Sequence, residues 1–206
     1  MDSQTSRSPR RHSTAPRKGD LREQVILDTT ERLLADPGYE ATTMADIAAG
    51  SGVTRGALYF YFSSKQEVVT ALVARTVRAL HEKSRAAADD PAAPRLAIET
   101  AVRRTAQIWL EHGLVMRAAI DLSPTVPAVG ELWSQTADIF IRAIAAVLER
   151  AGIPPGTNPG QAGAMAPPVC WMIERSFYHA SRLSAEELER TSLTCQDLWL
   201  RVAGLS

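Results

Sequence analysis

The run Thr42-Thr43-Met44-Ala45-Asp46-Ile47-Ala48, followed three residues later by Gly52-Val53-Thr54-Arg55-Gly56-Ala57-Leu58-Tyr59-Phe60-Tyr61-Phe62-Ser63-Ser64-Lys65, constrains this chain more than any other feature. It holds two short helical stretches joined at a glycine, then the capping signal of a third. Thr43 with Asp46 three positions on is a near capping box. Gly52 can take the left-handed backbone that brings the next helix round sharply. Val53 plugs the turn and Thr54 caps the second helix. Ala57, Leu58 and Phe62 fall where they pack on the first helix, which leaves Arg55, Gly56, Tyr59 and Tyr61 outward. Ser63 or Ser64 opens the next helix, with Gln66 or Glu67 as reciprocal partner. Two helices of this size at a tight turn make a helix-turn-helix, whose second helix enters a DNA major groove. The candidate DNA-binding residues are Thr43, Thr54, Arg55, Gly56, Ala57, Tyr59, Tyr61 and Lys65, the last where a phosphate would lie.

Residues 39–65 resemble the DNA-binding signature of TetR-family transcriptional regulators, with its Thr-Thr, Ile-Ala, Gly-Val, Leu-Tyr, Tyr-Phe and Ser-Lys landmarks. The resemblance implies a repressor that binds a palindromic, double-stranded operator as a homodimer and is released by a small hydrophobic or aromatic ligand. It also implies a two-state coupling, in which the effector shifts the helix at 65–88 and changes the separation of the two heads. Two recognition helices share one duplex only when about 34–36 Å apart, or a multiple of that. In the second half, Glu131-Leu132-Trp133 and Glu174-Arg175 are similar to the ligand domain of a mycobacterial member of the family. Where that member turns polar amides toward its ligand, this chain has Cys170 and Ile173. The implied effector is long and largely apolar.

The 206 residues suffice for one or two domains with a real core, and the apolar share of 45% is that of a globular protein. No segment reaches the ~18 continuous apolar residues of a membrane span. The N-terminus is rich in Ser, Pro and Arg without an apolar centre, unlike a secretory signal. Cys170 and Cys195 form no CxxC pair, so a reducing cytoplasm is the expected home. Net charge is zero, yet the first stretch carries Arg7, Arg10, Arg11, Arg17, Lys18 and Arg22 against Asp2 and Asp20. The helix-turn-helix itself offers few cations, so binding leans on hydroxyls, backbone amides and helix N-termini. The arm is either a groove-binding extension or a disordered leader.

Residues 1–20 read as a disordered basic arm, 21–66 as the helix-turn-helix domain and 67–206 as a ligand-binding and dimerisation domain. The fold class is all-α, about nine helices: a three-helix head followed by a helical bundle. The first helix, 21–36, has Val25, Ile26, Leu33 and Leu34 as its buried stripe. Asp89-Asp90-Pro91-Ala92-Ala93-Pro94 interrupts the helical pattern. Helices then follow at 95–112, 114–122, 127–151, 160–182 and 185–203. Pro167-Pro168 either kinks the penultimate helix or opens it, the second being favoured.

The second domain has large aromatics on helices otherwise rich in alanine and glycine. Such a bundle leaves room between helices, and cavities of that lining bind apolar or aromatic molecules. The candidate ligand-binding residues are Trp109, Trp133, Ala137, Phe140, Trp171 and Tyr178. The last two helices carry Trp171, Phe177, Leu193, Leu198, Trp199 and Val202, a surplus that pairing across a two-fold axis would bury. His12, His81, His112 and His179 have no metal-ligand spacing, and no nucleophile elbow or phosphate loop is present. No enzyme, metal site or cofactor is expected. The rival reading is a DNA-binding regulator without a small-molecule effector: constitutive, controlled by a protein partner, or redox-controlled through Cys170 or Cys195.

Overall fold

The computed structural model describes residues 18–88 and 93–205. Most of the basic arm and residues 89–92 of the interruption lie outside the described residues. Those described form eight helices and no strand: α1 (Lys18–Ala35), α2 (Met44–Ser51), α3 (Arg55–Tyr61), α4 (Lys65–Ala88), α5 (Pro94–Leu122), α6 (Pro127–Arg150), α7 (Ala162–Ala180) and α8 (Ala185–Val202). The difference from nine has one origin. The stretches expected at 95–112 and 114–122 run together as α5, which bends at His112 (φ −129°, ψ 25°) and continues. Gly113 is followed by neither a proline nor a capping residue, so nothing ends the helix there.

The caps of the head are formed by the side chains the sequence pairs. Asp46 Oδ2 accepts from the Thr43 backbone N–H at 2.8 Å, and Thr43 Oγ1 accepts from the Asp46 N–H at 3.3 Å. Gly52 closes α2 at φ 66°. Thr54 Oγ1 accepts from the Ala57 N–H at 3.1 Å to open α3. Ser64 Oγ accepts from the Glu67 N–H, while the Glu67 carboxylate accepts from Ser63. These hydrogen bonds hold the Asp46 and Glu67 carboxyls below the usual range.

Of the stripe expected on α1, Ile26 is buried and Leu33 and Leu34 pack on the head core, while Val25 is exposed and Leu27 is buried in its stead. Ile26 and Leu27 join Ile47, Leu58 and Phe62 in the head core. That core does not stop at residue 66. It takes in Val68, Val69, Leu72, Val73 and Val77 of α4, Val115, Ala119 and Leu122 of the second half of α5, and Val129 of α6. A second core, around Ile98, Val102, Trp109, Leu148, Phe177, Leu188 and Trp199, fills the bundle of α5 to α8. Trp133 packs against both.

Pro167 and Pro168 neither open nor interrupt α7, which begins five residues earlier at Ala162. Its start is set instead by backbone bonds from the preceding loop, Ala162 N–H to Pro154 O and Gly163 N–H to Gly156 O, each 2.9 Å.

The approach of α2 to α1 depends on a missing side chain. A Cβ at Gly50 would lie 2.8 Å from the Thr29 methyl, and Thr29 is buried and β-branched, with little freedom to move aside. Gly50→Ala should therefore destabilise the protein by about 1–3 kcal/mol, the range for overpacking. An unchanged denaturant midpoint would contradict this packing account.

Candidate functional site

The outer surface of the head is built on α3. Leu58 and Phe62, one turn apart, anchor the helix in the core. Arg55 and Gly56 at its start are exposed, as are the capping Thr43 and Thr54, while Ala57 is half-buried. Tyr59 is 53% exposed. Tyr61 is half-buried and packs on the head core, because three residues from Leu58 places it near the inner face. Phe60, not among the sequence candidates, is 84% exposed. It lies some 200° around the helix from Leu58, opposite the Leu58–Phe62 anchor, so helical spacing alone could have found it. Its ring meets Tyr61 edge to face at 5.5 Å, and the outer surface of α3 is thus partly aromatic.

Lys65 is placed differently from the free cation the sequence suggests. Its Nζ donates to the Tyr39 carbonyl at 2.8 Å and lies 4.2 Å from the centre of the Tyr39 ring. The ammonium therefore ties the turn after α1 to the start of α4.

In the bundle, a cavity of about 120 Å³ lies between α4, α5, α6, α7 and α8. Trp109, Trp133, Ala137 and Phe140 line it, as expected. Trp171 and Tyr178 do not. Trp171 points outward and is 56% exposed, since the inward side of α7 carries Ile173 and Phe177. Tyr178 lies a turn beyond the cavity, where its hydroxyl donates to Asp121 Oδ1 at 2.6 Å. In their place the wall has Cys170, Ile173 and Glu174 of α7, with Leu80, Met116 and Trp199 from other helices. The Glu174 carboxylate accepts from Trp133 Nε1 at 3.0 Å. Burial raises the Glu174 pKa, opposed by that hydrogen bond and by Arg175. Burial, and then Glu174, push the Cys170 thiol up to about 12, and burial also raises Cys195. Neither thiol has the lowered pKa of a redox sensor. A larger cleft of about 610 Å³, lined by Tyr39, Arg117, Asp121 and Arg182 among others, separates the turn after α1 from α5.

A polar clasp joins head to bundle beside the α5 bend. His112 Nδ1 lies 3.0 Å from Glu31 Oε1 on α1. Arg75 of α4 donates to Glu31 Oε2 at 2.9 Å and to Asp28 Oδ1 at 2.6 Å. Trp109 and Met116, which flank His112 in sequence, both line the cavity. Among the described residues no group of His, Cys, Asp and Glu could hold a metal ion, and no helix is long and apolar enough to cross a membrane.

The raised Glu174 pKa has a measurable sign. Stability attached to its protonated form is complete below the ordinary value of 4.5 and is lost as pH rises through the folded-state pKa. Glu174→Gln keeps an acceptor for Trp133 without that loss. The melting temperature of the variant relative to the parent should therefore climb between acid and neutral pH. A constant difference by calorimetry would contradict it.

Comparison with known proteins agrees with this architecture. Residues 26–72 match the family described as bacterial regulatory proteins, tetR family. The chain is 32% identical over 203 residues to the HTH-type transcriptional regulator EthR of Mycolicibacterium smegmatis, covering 95% of this chain and 92% of that one. It is 33% identical over 177 residues to EthR of Mycobacterium tuberculosis H37Rv, covering 82% and 80%. The likeness in the second half is thus part of one that spans nearly the whole chain. Among solved structures, the TetR family regulator PfmR of Thermus thermophilus superposes with a TM-score of 0.70 over 85% of this chain and 97% of that one, at 20% identity, a likeness of fold. With its helix-turn-helix head and helical bundle, the chain belongs to the TetR family of bacterial transcriptional regulators, DNA-binding proteins that are not enzymes.

Proposed function

We propose that this regulator is a repressor that binds a palindromic operator as a homodimer through α3 and is released when a small apolar or aromatic molecule enters the bundle cavity. The observation that carries this reading is the cavity itself: bounded by five helices, walled by Trp109, Trp133, Phe140 and Trp199, and joined through Trp133 to the head core. At about 120 Å³ it approaches the size of an apolar cavity that holds benzene, roughly 150 Å³. A longer effector must push the lining aside. That displacement falls on α4, α5 and α6, which also carry the head core.

For the DNA face, α3 supports direct contact by Arg55, Tyr59 and Phe60, with Tyr61, Ala57 and the capping threonines Thr43 and Thr54 at its edges. Gly56 is exposed with open space around it, so the fold does not require a glycine there. A glycine within a helix costs about 1 kcal/mol relative to alanine, which makes close approach of DNA the better account of it. Lys65 acts chiefly by positioning the turn after α1. For the dimer, Trp171, Leu193 and Leu198 stay exposed on α7 and α8 with Val202 half-buried, and they favour pairing of these helices. Phe177 and Trp199 are buried in the bundle and take no part. A stable pairing of this kind exceeds roughly 1,200 Å² of total buried surface. The two raised thiol pKa values do not favour the redox-controlled alternative.

Tyr59→Ala should weaken specific operator binding by about 1–3 kcal/mol, while Gly56→Ala should weaken it with unchanged or higher melting temperature. Both variants should sediment as dimers at micromolar concentration. Normal footprints from both, or a monomer in the parent protein, would overturn this assignment.

The coupling is expected to run through His112 and Glu31. Toluene, as a probe of the cavity, should raise the melting temperature and lower operator affinity about 5–150-fold. In His112→Gln the thermal shift should persist and the loss of operator affinity should shrink. Absence of any thermal shift in the parent protein would favour an effector-free regulator.

A further inference from the structure

The head is short of positive charge. From Lys18 to Glu67 it has five lysines and arginines against eight carboxylates, a net charge of −3. Arg75 of α4, bound to Asp28 and Glu31 on α1, offsets one of these. The two cations nearest the DNA face are themselves engaged. Lys65 Nζ is held by the Tyr39 carbonyl and ring. The Asp46 carboxyl is held low by its hydrogen bonds with Thr43 and then by Arg55, so Arg55 lies close to a carboxylate of its own surface. A protein that approaches duplex DNA gains much of its affinity by neutralising phosphates. The folded head has few cations to spare for that.

Residues 1–17 have them: Arg7, Arg10, Arg11 and Arg17 against Asp2, a net charge of +3 with no lysine. Apart from Met1 they include no large apolar residue, unlike a helix that lies on a membrane surface. Helix α1 starts at Lys18, and its second residue is beside the DNA-facing helix: a Cβ at Gly19 would lie 3.9 Å from the Tyr61 hydroxyl oxygen of α3. The arm therefore joins the head at the edge of α3. A chain of this length, fully extended, reaches at most about 55–60 Å. One turn of the duplex is roughly 34 Å, so with α3 in a major groove the bordering minor groove is within reach. A guanidinium is less strongly hydrated than an ammonium and suits the narrow minor groove of A·T-rich DNA, where the potential is most negative. We infer that residues 1–17 bind operator DNA in the minor groove flanking the α3 contact, with Arg10 and Arg11 reading A·T-rich flanks. This rests on the reading of α3 as the recognition helix and adds a second contact on the same duplex.

Selection from a library of random-sequence duplexes tests this with the full-length protein. The parent should select a palindromic core bordered by A·T-rich flanks, and Arg10→Ala/Arg11→Ala the same core with unbiased flanks. On the duplex that the parent selects, fluorescence anisotropy gives the dependence of log K on log salt. Its slope should fall by about 3–4 in Arg10→Ala/Arg11→Ala, which removes four cations from the dimer. Arg10→Lys/Arg11→Lys should keep the slope and lose the flank preference, because the charge stays and the guanidinium goes. Flanks and slope unchanged in Arg10→Ala/Arg11→Ala overturn the inference and leave α3 as the recognition helix. A lowered slope with unbiased flanks already in the parent places the arginines on phosphates and overturns the groove assignment. Selection of no common core by the parent overturns the reading of α3 and the inference with it.

Discussion

The bend of α5 at His112 is the constraint on which the rest of the molecule depends. One helix of 29 residues serves two cores: Ile98, Val102 and Trp109 and, past the bend, Met116 and Ile120 belong to the bundle, while Val115, Ala119 and Leu122 belong to the head. The residue at the bend is the one whose ring meets Glu31 of α1, and beyond it the helix packs on both cores. Head and bundle are therefore not two bodies on a flexible tether. They share a helix, a clasp of Glu31, Arg75 and His112, and the side chain of Trp133, so a change in cavity shape has a packed route to the DNA face.

The cavity follows from composition as much as from placement. Helices rich in alanine approach closely, and tryptophans set among them cannot fill every gap at the density of a core. What remains is a space with aromatic walls and few polar atoms, suited to largely apolar molecules. The single acid in it, Glu174, is held by Trp133 Nε1, and that bond fixes α6 against α7 at the cavity edge. The thiol of Cys170, one turn before Glu174, adds polarisable surface and no reactive thiolate at neutral pH. Helix α3, by contrast, keeps its apolar anchors to one side and leaves Phe60 and Tyr59 to solvent, a distribution that suits a partner surface more than a free one.

How much of this could be read in advance depended on whether the signal was local. Thr43 with Asp46, Gly52, Thr54, and Ser64 with Glu67 act within a turn or two of chain, and each does what its spacing implies. Phe60 was legible by the same rule, since it sits opposite Leu58 and Phe62. The cavity residues on α7 were harder. Trp171 and Tyr178 are the conspicuous side chains there, yet Cys170, Ile173 and Glu174 face the space. Size marks a residue as important without saying which way its helix is turned, and a rotation of one position, about 100°, exchanges wall for surface. On α1 the one misplaced position is Val25, which is exposed while its near neighbour Leu27 is buried.

The sequence by itself determined the all-helical class, the helix-turn-helix with its caps, and the family, because those rest on contacts between residues near in the chain. The tertiary structure alone decided that 95–112 and 114–122 are one bent helix, that the head core runs on into α4 and α5, and that Lys65 holds the Tyr39 carbonyl. It alone decided which tryptophans wall the cavity. Each of these depends on side chains brought together from distant helices, as with Glu31 and His112, 81 positions apart. Local spacing carries no record of such meetings; they exist only once the helices have packed.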